Sequence, residues 1–366
     1  MGMTEAAVQA GLEGVVVAET RLSEVDGERG RLVIAGSDVE LLAGSASFEE
    51  VCARLWGPYS KELLPADLQR ALGDARVRAF EWLGGLGNAL SAEDGMDALR
   101  ASMAHVSAQP GRELDTFLLL TGAAAVFTGA WARYRRQQAP VRPDPKLSHA
   151  ADLLRMVTGE SQPERAAGLD AYLVTVSDHG LNASTFTARV IASTGSDAVS
   201  AVVGAIGALK GPLHGGAPGP VLDMLDAIAR PEQAAPWLEG ELKAGRRIMG
   251  MGHRIYRVRD PRAAVLERAI ERLERSGLRT DRLALARAVE RAAEELLRQR
   301  YPDRPLRANV EFYTAVLLDA VGLDRTLFSP AFACGRVAGW LGHIAEQRAT
   351  GRLIRPASRY VGPMLS

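Results

Sequence analysis

Three histidines and one glutamate stand in sequence surroundings that suit chemistry better than packing. His214 lies in Gly-Pro-Leu-His-Gly-Gly and His253 lies in Gly-Met-Gly-His-Arg, where the glycines allow the backbone to approach a ligand closely. His179 lies in Ser-Asp-His-Gly and begins a run of mostly small and apolar residues that ends at His214. Glu311 follows two residues after Asn309, which is predicted to cap a helix. We predict that these residues form one active site.

The chemistry that this set supports is proton transfer. A carboxylate kept ionised near imidazoles can act as a general base. The helix that starts near Glu311 favours its anion by about 0.3–1 kcal/mol. His105, His149 and His343 are predicted to be structural. The six histidines include no pair with four-residue spacing, so no metal site is predicted. Phosphate-binding loops, dinucleotide fingerprints and nucleophile elbows are not found either.

Arginines strengthen the prediction of a site for an anion. Arg254 and Arg262 follow His253, Arg336 lies in an apolar segment, and Arg355 lies in Leu-Ile-Arg-Pro. An arginine on an apolar helix needs a partner, which is either a carboxylate of the protein or an anionic ligand. The residues by themselves leave both alternatives open.

The composition is that of an ordinary globular protein, with 47% hydrophobic residues, 24% charged residues and zero net charge. No broad attraction to nucleic acid or to an anionic membrane is implied. Two cysteines without metal-ligand or redox spacing favour a reducing compartment, and the N-terminus shows no secretory signal. We therefore expect a cytoplasmic protein. The uncharged stretch 116–132 falls short of the roughly 20 apolar residues of a membrane span and is predicted to be a buried helix.

Helical patterns dominate after a short N-terminal β-prone region. That region holds Val15–Val17 and Leu32–Ile34, which are predicted to form a small hairpin around Asp26-Gly27 and Gly30. Apolar periodicity, caps and breakers predict helices over 48–56, 63–72, 75–83, 96–107, 114–134, 147–157, 166–176, 184–194, 197–209, 218–229, 263–275, 282–300, 309–320 and 330–347. The helix over 197–209 is apolar all round, which indicates a core or subunit-interface helix. The charged helices that follow suggest a second, more solvated subdomain.

Five stretches together resemble the citrate synthase family, and they span nearly the whole chain: DHGLNASTFTARVIAST, GALKGPLHGGAP, IMGMGHRIYRVRDPRA, NVEFYTAVLLDAVG and LIRPASRYVGP. The match is to the shorter bacterial and archaeal type, of which 2-methylcitrate synthase is a close relative. The resemblance implies an all-α fold. It also implies a large helical domain from residues 1–214 and 319–366, a small helical domain from 215–318, and a homodimer.

The reaction implied by the resemblance is a Claisen condensation of acetyl-CoA with oxaloacetate, followed by hydrolysis of the thioester to citrate and CoA. On the family pattern, Glu311 is the base that removes a methyl proton. His214 stabilises the enol oxygen, and His253 hydrogen-bonds and protonates the oxaloacetate carbonyl.

The other implied roles concern binding. The residues that match oxaloacetate ligands are His179, Arg262, Arg336 and, from the second subunit, Arg355. Bidentate arginines suit the planar carboxylates of a small dianion. Arg257 and Arg259 are candidates for the CoA phosphates. Acetyl-CoA is a co-substrate, and no tightly bound cofactor is implied.

One departure keeps alternatives open. The base of the family is usually an aspartate, whereas this chain has Glu311. The extra methylene moves the carboxylate by roughly an ångström, and a misplacement of that size can cost on the order of a hundredfold in rate. The alternatives are a 2-methylcitrate synthase that uses propionyl-CoA and a catalytically weak paralogue that binds oxaloacetate or CoA.

Overall fold

A computed structural model describes residues 10–12, 14–60, 66–107, 111–160, 162–214, 218–253, 255–278 and 282–363. The fold is all-α with a small N-terminal sheet, as predicted. In these ranges the α-helices are α1 (Val39–Leu42), α2 (Phe48–Trp56), α3 (Leu68–Glu81), α4 (Gly95–Met103), α5 (Glu113–Arg135), α6 (His149–Thr158), α7 (Pro163–Val176), α8 (Ala183–Ser193), α9 (Ala198–Leu209), α10 (Pro218–Ile228), α11 (Ala234–Lys243), α12 (Pro261–Arg275), α13 (Arg282–Arg300), α14 (Val310–Ala320) and α15 (Phe328–Thr350). Short 3₁₀ turns occupy Ala10–Leu12, Leu83–Gly85, Ala89–Ser91, Pro231–Gln233 and Arg325–Leu327.

Most predicted helices are present because their start and stop signals act locally. Ser47 caps α2 through a capping box. The Ser47 hydroxyl accepts a hydrogen bond from the Glu50 amide, and the Glu50 carboxylate accepts one from the Ser47 amide. The prediction of two separate helices over 63–72 and 75–83 is wrong in one respect, because a single helix, α3, runs through the predicted break between them. Residues 61–65 lie outside the described ranges. Sequence patterns also missed α11, which carries Pro236 and Gly240.

The N-terminal sheet differs from the predicted hairpin. Its antiparallel strands are β1 (Ser23–Asp26), β2 (Arg31–Ile34) and β3 (Ser37–Asp38), in that order. The prediction that Val15–Val17 forms a strand is wrong, because that stretch has no regular structure and Val16 is 87% exposed. The turn after β1 decides the pairing. Asp26 Oδ1 accepts hydrogen bonds from two amides of the turn, so the residues directly before the turn pair with those directly after it.

Two long helices form the centre of the fold. Helix α5 is long and apolar enough to cross a membrane by length and composition, yet 94% of its most apolar window is buried inside the protein. It is therefore a core helix, as predicted for 116–132. Helix α15 is buried along most of its length and packs against α2, α5, α7 and α8.

Glycines let α15 approach the chain segment that carries His179. A methyl group at Gly339 would overlap the carbonyl oxygen of Ser177, and one at Gly335 would lie 2.6 Å from Val176. The amide of Gly339 also donates to the Ser177 carbonyl at 3.1 Å. The backbone before His179 is thus held directly against a core helix.

Helix α9 is apolar as predicted, but it is buried on one side only. Ala201, Val202 and Ala205 are buried, whereas Val203 and Gly207 on the other side are partly exposed. Helix α8 packs closely against α9. The structure therefore shows a core helix with a partly exposed apolar face.

The N-terminal sheet joins two loops that carry predicted site residues. Ser23 Oγ donates to Asp178 Oδ2 at 2.5 Å and accepts from the Gly180 amide at 2.9 Å, on either side of His179. The Arg257 amide donates to the carbonyl of Gly27 at 2.9 Å. The sheet therefore holds the His179 loop and the loop after His253 in one frame.

The division into domains 1–214 with 319–366, and 215–318, stays a prediction. Within the second range, α11 packs on α13, and α12 packs on α14. Helices α12 and α14 also contact α7, which belongs to the first range.

The contact at Gly339 gives a testable expectation. Gly339→Ala should lower the free energy of unfolding by about 1–3 kcal/mol, because the added methyl overpacks against the Ser177 backbone. Urea denaturation measures this loss. Gly84→Ala is the matched control, since a methyl group at Gly84 meets nothing within 4 Å. Equal unfolding curves for the two variants would contradict the close approach.

Candidate active site

The structure places the predicted histidines and Glu311 where the charges of two buried arginines, Arg262 and Arg336, act on them. His179 follows α7, His214 follows α9, and His253 precedes α12. The rings of His179 and His253 lie 5.9 Å apart between centroids, and both contact the ring of Tyr256. Burial lowers the pKa of His179 well below its usual value, and Arg262 lowers it further. The charge of Arg262 acts on all three histidines and on Glu311, so these residues lie near one another in the folded chain.

His253 is held as a neutral ring with one defined tautomer. Its Nδ1 accepts hydrogen bonds from the amides of Ile255 and Tyr256, each at 3.0 Å. An amide can only donate, so Nδ1 carries no proton and the proton of the neutral ring lies on Nε2. Burial, followed by the charge of Arg262, lowers the pKa of His253 to about 4. His253 is therefore a neutral hydrogen-bond donor at neutral pH.

The proton on Nε2 of His253 meets another donor. Arg262 Nη2 lies 3.5 Å from this nitrogen, and a guanidinium has no acceptor atom. Two donors at this distance do not bond to each other, and both suit the same oxygen of an anionic ligand. This arrangement favours recognition of a carboxylate or a carbonyl beside a carboxylate.

His214 is neutral as well, but it carries the opposite tautomer. Its Nε2 accepts from the amide of Ser184 at 3.3 Å and lies 2.8 Å from the Ser184 hydroxyl. The proton of the ring is therefore on Nδ1. Burial, then the charge of Arg336, lowers the pKa of His214 to about 4. Trp340 donates to the same hydroxyl at 3.1 Å and so helps to fix Ser184.

Arg262 is oriented by Asp260, which the sequence analysis did not single out. The guanidinium donates to Asp260 through Nε at 3.0 Å and through Nη2 at 2.8 Å, and both side chains are buried. Asp260 also accepts from the amides of Arg262 and Val310, and so ties the starts of α12 and α14 together. The available signal was its place before Pro261, because an aspartate followed by proline is a frequent helix start.

Arg336 is buried on α15 with part of its donor capacity unused. Its Nε donates to the carbonyl of Val176 at 2.6 Å, and its guanidinium lies over the ring of Phe332. Its Nη2 is buried and has no hydrogen-bond partner among the described residues. Burial, and then repulsion from Arg262, lowers the pKa of Arg336 to about 10. A buried cation in this state favours an anionic ligand strongly.

Glu311 lies in the first turn of α14, as predicted. Asn309 Oδ1 caps the helix by accepting from the Glu311 amide at 3.0 Å, and Asn309 Nδ2 donates to the carbonyl of Gly252 at 2.9 Å. The cap therefore links Glu311 to the loop of His253. Burial raises the pKa of Glu311 to about 7, although the charge of Arg262 opposes this shift. A carboxyl group with this pKa is suited to exchange protons near neutral pH.

A hydrogen-bond network lies beneath the His179 loop and was also missed. Burial would raise the pKa of Asp178, but His343 at 3.2 Å and Ser23 hold it below the usual value. His343 in turn contacts Arg189, whose guanidinium donates to Glu346 at 2.5 Å. His343 was predicted to be structural, and its surroundings agree with that prediction.

The remaining predicted arginines do not join the cluster in the single chain. Arg355 and Arg257 are exposed. Arg259 donates to Glu267 and Glu290 at 2.7–3.0 Å, so its guanidinium is occupied by two carboxylates of the protein. Arg254 lies outside the described residues.

Fold and site together indicate an enzyme of helical fold in which neutral imidazoles and a carboxyl group lie near two buried arginines. The family model described as "Citrate synthase, C-terminal domain" matches residues 11–357. A protein named putative citrate synthase 2 from Mycobacterium tuberculosis is 40% identical over 365 residues, which covers 96% of this chain and 92% of that protein. The citrate synthase of Haloferax volcanii is 37% identical, and the match covers 97% of this chain and 96% of that protein.

Solved structures agree with the sequence comparisons. The citrate synthase from Thermotoga maritima has a TM-score of 0.83 at 33% identity, covering 98% of this chain and 97% of its own. A citrate synthase from Thermoplasma acidophilum, described as a ternary complex with carboxymethyl coenzyme A and oxaloacetate, has a TM-score of 0.85 at 26% identity with the same coverage. The chain belongs to the citrate synthase family.

Asp260 gives the prediction for this site. Asp260→Asn keeps the shape of the side chain but leaves the buried Arg262 charge without its counter-ion. We expect the free energy of unfolding to fall by about 3–5 kcal/mol, as measured by urea denaturation. Glu295→Gln, which breaks an exposed pair with Arg298, is the control and should leave the unfolding midpoint unchanged. A stable Asp260→Asn protein would show that the ion pair does not hold the site.

Proposed function

We propose that this chain condenses acetyl-CoA with oxaloacetate and hydrolyses the resulting thioester, releasing citrate and CoA. The observation that carries the proposal is the pairing of two neutral histidines of fixed tautomer with a carboxyl group of pKa about 7. These groups surround two buried arginines, one of which has an unused donor. The set supplies a base, two hydrogen-bond donors and a dianion site.

Oxaloacetate would be held by its two carboxylates. Arg336 offers its buried Nη2, and Arg262 is already oriented by Asp260. The Nε2 proton of His253 lies beside Arg262, where it would reach the ketone oxygen next to a bound carboxylate. His179, neutral and 3.1 Å from the Tyr256 hydroxyl, completes this side of the pocket.

Catalysis would begin at the acetyl group. The Glu311 carboxylate takes a proton from the methyl carbon, while the Nδ1 proton of His214 hydrogen-bonds the thioester oxygen that becomes the enol oxygen. The enol carbon then attacks the ketone carbon of oxaloacetate, and the ketone oxygen takes the Nε2 proton of His253, which the proton removed by Glu311 replaces before the next turnover. Water finally cleaves the thioester to a carboxylate and the CoA thiol. Donors that are already fixed in place suit this task, because they stabilise developing charge without reorganising during the reaction.

CoA would approach the loop after His253. Arg257 is exposed there and is our candidate for a CoA phosphate. Arg259 keeps its predicted role only if it leaves Glu267 and Glu290, whose hydrogen bonds hold it and raise its pKa despite burial.

A homodimer would complete the pocket, and Arg355 would enter from the second subunit. Arg355 is exposed in the single chain, on a segment anchored where the Ile354 amide donates to Ser193 at the end of α8. The partly exposed apolar face of α9 is the surface that we propose for subunit contact. We further propose a cytoplasmic location, in keeping with the two free buried thiols, Cys52 and Cys334.

Thiol release tests the proposed reaction. The purified protein should release free CoA from acetyl-CoA only when oxaloacetate is present. Propionyl-CoA is the second arm, and a faster release with it would identify a 2-methylcitrate synthase instead. His253→Ala should lower the rate by about a hundredfold to ten-thousandfold, as expected for loss of a general acid.

The matched control is His105→Ala, because His105 is exposed and lies outside the cluster. Its rate should equal that of the unchanged protein. No thiol release from either acyl-CoA would refute the enzymatic proposal and leave the oxaloacetate-binding or CoA-binding paralogue.

Mixing two inactive variants tests the role of Arg355. Arg355→Ala and His253→Ala homodimers should each be nearly inactive. After the subunits exchange, half of the dimers are mixed and each has one intact site, so about a quarter of the full activity should return. If activity does not return although mixed dimers form, Arg355 acts within its own chain or not at all.

A further inference from the structure

Tyr172 on α7 is a buried polar group that the proposed reaction leaves without a role. Its side chain is fully buried, and its hydroxyl has no hydrogen-bond partner among the described residues. A buried hydroxyl without a partner costs free energy in this state of the protein. A state that supplies a partner recovers that cost. The position of Tyr172 therefore points to a partner that comes within reach during function.

The surroundings of this hydroxyl are those of the candidate active site. Helix α7 packs against α12, α14 and α15. The titratable groups that act on the Tyr172 hydroxyl from these helices are, in order of strength, Glu311, Arg336, Cys334 and Arg262. The strongest of these charged neighbours is the carboxylate that we propose as the base.

The chemical character of the two groups is complementary. Burial and the charge of Glu311 raise the pKa of Tyr172 well above its usual value, so the phenol keeps its proton and can donate. The Glu311 carboxylate accepts no hydrogen bond from a described residue, and its side chain is only partly exposed. Tyr172 thus offers a hydrogen-bond donor, and the Glu311 carboxylate offers an acceptor.

We propose that the Tyr172 hydroxyl donates a hydrogen bond to the Glu311 carboxylate when the active site assembles around its substrates, and so positions the base. This inference rests on the proposed function for the role of Glu311. Glu311 lies on α14 and Tyr172 lies on α7, and these two helices pack against each other. Tyr172 is a positioning residue, because it acts through Glu311.

The hydrogen bond has a defined electrostatic effect. Around Glu311, burial raises the pKa of the carboxyl group, Asp260 adds to this, and Arg262 and Arg336 oppose it. A hydrogen-bond donor to the ionised carboxylate lowers the raised pKa of Glu311 back towards its usual value. The base is active when ionised, so the bond keeps Glu311 active to lower pH than burial alone would allow.

Tyr172→Phe tests the proposal through the pH dependence of kcat/KM for acetyl-CoA. The acid limb of the profile should move up by about one pH unit, because a hydrogen bond to a charged group is worth about that much. Activity should fall about tenfold on the acid side and be largely recovered well above the limb. Unfolding of the ligand-free protein should be unchanged or slightly delayed, since the variant removes a buried hydroxyl without a partner.

Two controls separate positioning from a structural role. Thr121→Val removes another buried hydroxyl, on α5, that has no partner in the part of the chain that the structure describes, and it should leave the acid limb unmoved. In a Glu311→Asp background the shorter carboxylate does not reach Tyr172, so Tyr172→Phe should not move the limb there. An equal shift in both backgrounds, or an unmoved limb together with earlier unfolding, would overturn the proposal.

A direct titration keeps this inference separate from the proposed reaction. The carboxyl band of Glu311, read by infrared difference spectroscopy against Glu311→Gln with oxaloacetate present, requires no turnover. Its midpoint should rise in Tyr172→Phe. An unmoved midpoint in a protein that does release thiol would reject the role of Tyr172 alone, whereas absent thiol release would reject the proposed reaction.

Discussion

The burial of two arginines with a single close counter-ion is the constraint on which this site depends. Arg262 has Asp260 as its partner, whereas the contacts of Arg336 with the described residues are a backbone carbonyl and an aromatic ring, with Asp178 acting on it only through its charge. A buried charge without a partner is unfavourable, so the folded chain carries a strong preference for an added anion. The hydrophobic packing of α7, α14 and α15 is what keeps water from relieving that imbalance.

The protonation states of the site follow from the same imbalance. Excess positive charge and burial keep His179, His214 and His253 neutral, and the backbone amides then select the tautomer of the last two. Burial acts in the opposite direction on Glu311 and raises its pKa, which the arginines only partly offset. One low-dielectric environment thus gives neutral imidazoles and a carboxyl group that titrates near neutral pH.

The elements that position these groups come from distant parts of the chain. The small sheet binds the backbone around His179 through Ser23 and the loop after His253 through Gly27. Asp260 and Asn309 tie the starts of α12 and α14 to that loop. Glu311 with its extra methylene departs from the aspartate that the resemblance implies, and Tyr172 on the neighbouring helix α7 carries a buried hydroxyl without a partner among the described residues. Contacts between distant parts of the chain therefore hold the loops around His179 and His253 and the start of α14 in one frame.

The sequence by itself determined the helical class and most helix positions, because caps and periodicity are local signals. It singled out the histidines, Glu311, Arg262 and Arg336 through their local surroundings and through the resemblance to a family. It missed Asp260, Ser184 and Tyr172, since an aspartate at a helix start or a tyrosine on an apolar helix looks the same whether or not a functional group faces it. It also predicted a strand at Val15–Val17, whereas the turn at Asp26 pairs the residues directly before it with those directly after it. Only the tertiary structure decided which tautomer each histidine carries, which arginine is already paired and which hydroxyl is left without a partner. These properties depend on contacts between residues far apart in the chain, and on the burial that those contacts create.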